Sequence, residues 1–141
     1  MSTRSSVGMV MLEGRIRSIY VHFDGYLEGV GQTLLDNYKD DEKISQLLDL
    51  GDLSILAGDI GKKHDFDSHD SKSGMCLAYG RDRGEKKAQA KDHADVKDFV
   101  VYRRKCDCEC LYLWKNGKWL VYTPPDDYPE WKSIEQALKE I

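Results

Sequence analysis

Two neighbouring segments near the N-terminus are rich in apolar and β-branched residues. The segments are Thr3–Met11 and Arg15–Phe23, and Leu12–Gly14 between them supplies turn residues. This pattern predicts a β-hairpin. In the second strand, Ile16, Ser18, Tyr20 and His22 share one face. The other face, with Arg17, Ile19, Val21 and Phe23, is more apolar, and we expect it to meet the core.

Two helices are predicted after the hairpin, because apolar residues recur there every three or four positions. These positions are Val30, Leu34, Leu35 and Tyr38 in the first helix, and Ile44, Leu47 and Leu48 in the second. Asp40 or Asp41 can cap the second helix, and Gly51 is typical of a helix C-terminus. The next segment, Asp52–Leu56, is predicted to add a short helical turn.

Short apolar runs predict four further strands. They are Met75–Tyr79, Phe99–Arg103, Cys106–Trp114 and Lys118–Thr123. Asn116–Gly117 between the last two favours a type I′ hairpin, and Trp131–Ile141 is predicted to form a C-terminal helix. Together the elements predict an α+β fold, with an antiparallel sheet of about five or six strands and two or three helices packed on one face.

Length and composition fit a single domain over residues 1–141, with 40% apolar residues. The net charge of −4 argues against binding nucleic-acid polymers through a broad basic face. No apolar run approaches the ~20 residues of a membrane span, and Met1–Val10 is too polar and short for a signal peptide. We therefore expect a cytoplasmic protein without a membrane partner.

Three of the four cysteines, Cys106, Cys108 and Cys110, are spaced two residues apart. In a strand this spacing places the three side chains on one face. A buried, reduced face is favoured over a disulfide framework. A zinc site is the alternative, but the spacing lacks the usual two- to four-residue knuckle. We predict neither a metal nor a cofactor.

The first candidate binding site is the stretch Ser18–Gly31, where a strand ends among aromatic residues, a histidine, an aspartate and glycines. His22, Asp24 and Tyr26 could converge on a ligand, since Gly25 permits close backbone approach. The glycines that follow open a helix, whose first amides favour an anion. The alternative is a strand-to-helix turn in which Asp24 accepts hydrogen bonds from nearby amides.

The second candidate site is Tyr79–Glu85, with Arg81 and Arg83 around an aspartate between two glycines. Arginine binds phosphate through two parallel hydrogen bonds and stacks on rings. The two arginines, beside Tyr79, could therefore hold a pyrophosphate and a base. The alternative is a solvated charged loop in which local ion pairs contribute little.

Signals for catalysis are weak. The segment His64–Asp70 contains histidines and aspartates, but its spacing fits neither the H-E-x-x-H zinc motif nor an EF-hand loop. A flexible polar loop is favoured over a metal site there. The G-x-S-x-G nucleophile motif does not occur in the sequence. We assign no catalytic residue and expect a protein that is not an enzyme.

Four sequence blocks resemble a family of small phage and prophage proteins. The blocks are T-R-S-x-x-G (Thr3–Gly8), S-I-Y-x-H-x-D-G-Y-x-E-G-V-G (Ser18–Gly31), L-G-D-L-S (Leu50–Ser54) and Y-x-R-D-R-G-E (Tyr79–Glu85). Most members of the family have tryptophan and proline where Phe23 and Leu27 stand here. The second replacement removes a rigid turn residue.

Small phage proteins of this kind are often anti-defence factors. The chain is similar in design to sponges of the Thoeris and CBASS anti-defence type, which sequester cyclic ADP-ribose isomers or cyclic oligonucleotides. The resemblance implies a homo-oligomer in the host bacterial cytoplasm that binds such a nucleotide without chemistry. The arginines would hold phosphates, a tyrosine ring would stack on a base, and a histidine and an aspartate would bond ribose or base edges. The ligand contacts expected on this hypothesis are Arg4, His22, Asp24, Tyr26, Tyr79, Arg81 and Arg83.

Two other functions are alternatives. The acidic chain could inhibit a host defence nuclease, such as a CRISPR effector, by mimicking the charge of nucleic acid. A metal-dependent enzyme that cleaves an immune signal would instead use the histidines and aspartates of His64–Asp70. Co-purification with a protein would favour the inhibitor, and an altered nucleotide would favour the enzyme.

Overall fold

The structure is a computed structural model that describes residues 2–66, 74–123 and 130–141. The strands are β1 (Ser5–Val10), β2 (Ile16–Val21), β3 (Leu53–Ile55), β4 (Leu77–Ala78), β5 (Lys91–His93), β6 (Cys110–Lys115), β7 (Lys118–Tyr122) and β8 (Lys132–Ser133). The α-helices are α1 (Gln32–Asn37), α2 (Asp41–Asp49), α3 (Tyr79–Arg83), α4 (Val96–Lys105) and α5 (Ile134–Lys139). A 3-10 turn spans Leu12–Gly14, and a π-helical turn spans Leu27–Gly31.

Within these ranges eight strands form one mixed sheet, in the order β4-β3-β2-β1-β6-β7-β8, with β5 also paired to β2. The α+β character is confirmed. The predicted sheet of five or six antiparallel strands differs from the observed one, because β1 runs parallel to β6 and β2 runs parallel to β3. Four of the eight strands have only two or three residues. Such short strands show no alternation that a sequence pattern could reveal.

Helices cover both faces of the sheet, whereas the sequence predicted helices on one face. Ile19 and Val21 point to the face covered by α1, α2 and α5, within the larger apolar cluster. Ile16, in the same strand but at odd spacing from these two, points to the opposite face, where it packs with Phe99 and Val100 of α4. The expectation that this face of β2 meets the core is confirmed for Ile19 and Val21, whereas Phe23 is exposed and Ile16 of the opposite face is buried as well.

Helix α4 replaces the strand that the sequence predicted at Phe99–Arg103. The Asp95 carboxylate accepts a hydrogen bond from the Asp98 amide at 2.8 Å and caps the helix. Phe99 and Arg103 are four residues apart and lie buried on one helix face. Gly8 lets α4 lie close to the sheet, since a Cβ there would stand 3.1 Å from the Phe99 ring.

The prediction that three cysteines share one strand face is wrong. Strand β6 begins only at Cys110, because Asp107 adopts a left-handed conformation with φ of 61° between α4 and the strand. Cys108 belongs to the apolar cluster beneath α4, and Cys110 belongs to the cluster on the other face. Burial raises the pKa of Cys108 to about 12, so this thiol stays protonated near neutral pH.

The local predictions near the turns are mostly confirmed. The hairpin of β1 and β2 forms with its turn at Leu12–Gly14, and Asp40 caps α2 by accepting a hydrogen bond from the Lys43 amide. Asn116 and Gly117 both have positive φ, as a type I′ turn requires. The predicted helical turn at Asp52–Leu56 is instead strand β3.

Strand β3 forms because the edge of the sheet offers it hydrogen-bond partners. The amides of His22 and Phe23 donate to the carbonyls of Leu53 and Ser54 at 3.0 and 3.1 Å. None of the helices in the described ranges is long and apolar enough to cross a membrane.

Candidate functional site

The glycines of the stretch Ser18–Gly31 pack against the chain itself. A Cβ at Gly25 would lie 2.7 Å from the Thr3 carbonyl oxygen, and one at Gly29 would lie 2.3 Å from the Asp24 carbonyl oxygen. The Gly25 carbonyl accepts a hydrogen bond from the buried Tyr112 hydroxyl at 2.6 Å. These glycines therefore permit close packing of the turn against neighbouring backbone. This packing explains the glycines without a ligand.

The amides of the same turn have acceptors within the protein. The Val30 amide donates to the Asp24 carbonyl at 2.8 Å, and the Gly29 amide donates to the Tyr26 carbonyl at 3.0 Å. The exposed Tyr26 hydroxyl points to the Asp24 carboxylate at 3.4 Å. The glycine pattern suggested that amides at the start of this helix bind an anion. In the structure, the Val30 and Gly29 amides instead donate to carbonyl groups of the chain itself.

The Arg81 side chain points into the protein. Its Nη1 donates to the Ile60 carbonyl at 2.7 Å, and its Nη2 donates to the Cys76 carbonyl at 2.7 Å. Its Nε and Nη2 also donate to the two oxygens of Asp82, at 3.0 and 3.2 Å. Four of the five N–H groups of the guanidinium are thereby used within the chain, which leaves little for the phosphate contact that the sequence predicted.

The Asp82 carboxylate accepts hydrogen bonds from several groups of the chain. Its side chain is fully buried and also accepts hydrogen bonds from the amides of Ala78, at 2.8 Å, and His64, at 3.0 Å. Burial alone would raise the pKa of Asp82. The hydrogen bonds from Arg81, Ala78 and His64 outweigh that effect and hold the pKa below its ordinary value. Asp82 and Arg81 therefore join α3 to the loop before it.

In contrast to Arg81, the Arg83 side chain lies at the surface. Its guanidinium carbon lies 5.1 Å from the centre of the Phe66 ring and 5.4 Å from that of Tyr79. The two rings are 5.4 Å apart. Its Nη2 forms an ion pair with the exposed Glu85 carboxylate. About half of the Arg83 side chain is open to solvent, so this cation is held in place by rings yet remains accessible.

Beside Arg83, four polar side chains share one face of the sheet near its edge, and Tyr79 at the start of α3 lies against them. We call these five residues the polar shelf. They are Tyr20, His22, Asp52, Ser54 and Tyr79. The parallel register of Val21 with Leu53 places the neighbours of these two residues on the same face, which is the face of α4. A side-chain hydrogen bond joins Ser54 to Tyr79. Helix α4 covers the sheet beside the shelf, over Ile16 and Ser18.

Tyr20 and His22 form the first half of the shelf. The Tyr20 hydroxyl and the His22 Nδ1 are 2.9 Å apart, in hydrogen-bond contact. Partial burial raises the pKa of Tyr20 to about 12, although the nearby Arg4 guanidinium opposes the shift. The Tyr79 hydroxyl is a further electrostatic neighbour of Tyr20. The two tyrosines thus lie near each other on the shelf.

Asp52 connects the two candidate stretches of the sequence. Its Oδ1 accepts a hydrogen bond from the Tyr20 amide at 2.9 Å, and its carbonyl accepts one from the Tyr79 amide at 3.2 Å. Burial raises the pKa of the Asp52 carboxyl, while the Tyr20 amide and the positive charges of Arg103 and Lys91 oppose the shift. The stretches Ser18–Gly31 and Tyr79–Glu85 therefore adjoin through this residue.

A second arginine is buried beside the shelf under α4. The Nε and Nη2 of Arg103 donate to the Ser18 hydroxyl at 3.1 and 2.9 Å, and the Ser18 oxygen lies 2.7 Å from the His93 Nε2. Only 2% of Arg103 is exposed. Across the described residues, Arg103 makes no ion pair with a carboxylate, so its charge adds to the positive potential near Tyr20 and Asp52.

The predicted ligand contacts separate into three groups. Arg4 lies beside Tyr20, and His22, Tyr79 and Arg83 lie on or against the shelf. Asp24 and Tyr26 contact each other in the exposed turn that follows His22. Arg81 is committed to internal acceptors.

The segment His64–Asp70 lies partly outside the described residues, since Asp67, His69 and Asp70 fall between 67 and 73. Within the described part of the chain, no group of three histidine, cysteine or acidic side chains is placed to hold a metal ion. The His64 Nε2 lies 2.9 Å from the Cys76 carbonyl oxygen, a contact that ties the loop to β4.

A cavity of about 700 Å³ lies on the other face of the sheet, between α1, α5 and the β6–β7 hairpin. Trp114 and Trp119 form part of its wall, but both indoles are nearly buried and their N–H groups donate to Asp41 and to the Tyr38 carbonyl. Two lysines and two acidic residues line its rim, so the charges are balanced. Its size would suit a small molecule, whereas its side chains define no particular chemistry.

In comparisons of the chain with known proteins, no family model, no curated protein and no solved structure matches it. The resemblance to small phage proteins therefore stays a prediction, and the function has to be argued from the geometry.

Sequence reasoning missed Asp52, Phe66 and Arg103. Tyr20 carried a signal, because it alternates with His22 and so shares its strand face. Asp52 lies in the Leu50–Ser54 block, but no local pattern shows its contact with Tyr20, which joins residues 32 positions apart. Arg103 was hidden by the wrong prediction of a strand where α4 forms.

Proposed function

We propose that the protein binds a small nucleotide-type anion at the polar shelf and acts by holding it without chemical change. The ligand class is that of the immune second messengers named above, a cyclic ADP-ribose isomer or a cyclic oligonucleotide. Binding of this kind would sequester the signal and so oppose a bacterial defence system. This is the role that the phage-like sequence blocks imply.

The observation that carries the proposal is the stacked guanidinium of Arg83. Arginine over aromatic rings recognises phosphate or carboxylate groups and can share the same rings with a planar base. Phe66 and Tyr79 hold the Arg83 guanidinium in position, so less conformational entropy is lost when an anion binds.

The groups around the shelf also match an anion that carries a sugar and a ring. Arg4 and Arg83 are accessible cations whose present partners, Asp107 and Glu85, are themselves surface carboxylates. Tyr20 and Tyr79 are partly exposed and offer ring surface. Arg103 is buried and contributes only through its field. A ligand with phosphate groups joined to a flat base and ribose matches this combination of cations, rings and hydroxyl groups.

The proposal is tested by thermal unfolding of the purified protein with a panel of cyclic mononucleotides, cyclic oligonucleotides and cyclic ADP-ribose isomers. A compound that binds the native state raises the melting temperature, by an amount that grows with the logarithm of its concentration relative to the dissociation constant. The protein is then denatured, and the released compound is compared with the starting compound by mass spectrometry.

Release of the intact compound supports sequestration. Release of an altered compound would point to an enzyme, and a panel without any thermal shift would contradict the proposed function. Native mass spectrometry on the same samples gives the number of chains and ligands in each complex, which tests the expected homo-oligomer.

A further inference from the structure

We propose that the Asp52 carboxylate recognises a free pair of ribose hydroxyls, which makes the ligand class a ribonucleotide with an open 2′,3′-diol. The inference rests on the proposed function and assigns a specific role to one residue of the polar shelf. Asp52 was not among the ligand contacts that the sequence predicted.

The two oxygens of Asp52 are used differently. Oδ1 accepts a hydrogen bond from the Tyr20 amide at 2.9 Å, which fixes the carboxylate on the shelf. Oδ2 has no hydrogen-bond or ion-pair partner among residues 2–66, 74–123 and 130–141. The Asp52 Oδ2 is not among the fully buried side-chain polar atoms that lack a partner in those ranges, and Asp52 as a whole is partly exposed.

The surroundings of Asp52 hold charges of both signs. Arg103 and Lys91 place positive charge, and Glu85 places negative charge, within electrostatic range of the carboxylate. A hydroxyl group adds a hydrogen-bond donor to the carboxylate without changing this balance. A carboxylate that accepts hydrogen bonds from both hydroxyls of a ribose is a recurring way in which proteins bind nucleotides.

The position of Asp52 fits that role. The Tyr79 amide donates a hydrogen bond to the Asp52 carbonyl at 3.2 Å, and the Arg83 guanidinium lies over the Tyr79 ring. A base stacked at Tyr79 and a phosphate at Arg83 would leave the ribose of the same nucleotide between them, near Asp52. On this proposal the base, the ribose and the phosphate of one nucleotide would contact Tyr79, Asp52 and Arg83 in turn.

The test compares adenosine 5′-diphosphate (ADP) with its 2′-deoxy and 3′-deoxy analogues by isothermal titration calorimetry. For the wild-type protein we expect at least one analogue to bind about tenfold more weakly than ADP, because each lacks a hydrogen bond to a charged acceptor. Asp52→Asn keeps an oxygen for the Tyr20 amide. In this variant we expect the difference between ADP and the analogues to shrink below about threefold.

Equal binding of ADP and both analogues by the wild-type protein would overturn the inference and leave the proposed function intact. The same holds if a cyclic oligonucleotide, which has no free 2′,3′-diol, binds and ADP does not. An undiminished preference for ADP in Asp52→Asn would overturn it as well. A purely structural role of Asp52 would weaken ADP and its analogues equally, and the wild-type comparison remains decisive if the variant fails to fold.

Discussion

Two arginines separated by one residue have different tasks in this protein. Arg81 donates to two carbonyl groups and to the buried Asp82, whereas Arg83 lies on two rings at the surface. Their residue type and charge are identical, and only the surroundings distinguish them. Substitution of Arg81 should therefore affect mainly stability, and substitution of Arg83 should affect mainly ligand binding.

We expect Arg81→Gln to lower the free energy of unfolding by about 2–4 kcal/mol, because it leaves the buried carboxylate of Asp82 without its cation. Urea unfolding followed by circular dichroism measures the loss. Arg15→Gln is the matched control, since Arg15 is exposed at the hairpin end of β2, and its effect should stay within about 0.5 kcal/mol. Equal stability of Arg81→Gln and the control would contradict the structural role of Arg81.

Glu85 occupies the place next to Arg83 that an anionic ligand would use. We expect Glu85→Gln to bind a nucleotide of the panel about three to ten times more tightly, since the ligand no longer displaces an internal carboxylate. Calorimetric titration measures the change. Glu140→Gln removes a comparable exposed ion pair with Lys132 far along the chain, and it should leave the affinity unchanged. Weaker binding by Glu85→Gln would show that Glu85 supports the ligand instead of competing with it.

At the scale of elements, the contact of α4 with the sheet depends on a neutral histidine. His93 of β5 is buried, with its Nε2 against the Ser18 hydroxyl, and the Arg103 guanidinium donates to the same hydroxyl. Burial and, after it, the charge of Arg103 lower the pKa of His93, while Asp92 and Asp98 oppose the shift. The folded protein therefore binds the proton of this residue less readily than the unfolded chain.

We expect the free energy of unfolding to fall as the pH drops below about 6.5, where the unfolded histidine gains a proton that the folded one resists. The loss continues down to the lower pKa of the folded state. His93→Gln keeps an oxygen that accepts from Ser18 and does not titrate. Urea unfolding between pH 7 and pH 5 should show a clearly smaller slope for this variant, and identical slopes would contradict the assignment.

The elements that the sequence predicted correctly are those with local signals. The turn residues Asn116–Gly117 and the cap at Asp40 act within a few positions, so their patterns identify a hairpin and a helix. Helix α4 was missed because Phe99–Arg103 contains valine, tyrosine and phenylalanine, which favour strands in isolation. Burial of Phe99 against Gly8 and the cap at Asp95 stabilise the helix over a strand in this segment.

The candidate site could be predicted only in part for the same reason. His22, Tyr79 and Arg83 have the right chemistry in the sequence, and their proximity depends on Asp52 joining β2 to α3 across the sheet edge. Arg81 has the same chemistry as Arg83. Its engagement follows from the positions of the Ile60 and Cys76 carbonyls, which only the three-dimensional structure gives.

For the whole molecule, the mixed sheet explains how distant blocks of the sequence form one surface. Arg4 directly precedes β1, His22 directly follows β2, Asp52 directly precedes β3, and Tyr79 begins α3. The apolar clusters on both faces fix these elements relative to each other. The negative net charge of the chain is compatible with a local anion site, because arginines from three separate segments lie beside the shelf.

The most direct measurement is an isothermal titration of the wild-type protein, Arg83→Gln and Arg15→Gln with the panel nucleotide that gives the largest thermal shift. We expect Arg15→Gln to bind like the wild-type protein and Arg83→Gln to bind at least about tenfold more weakly, since it loses a charge-assisted contact held by two rings. Equal affinities of all three proteins would contradict the polar shelf as the binding site, and a wild-type protein that binds no nucleotide would contradict the proposed function.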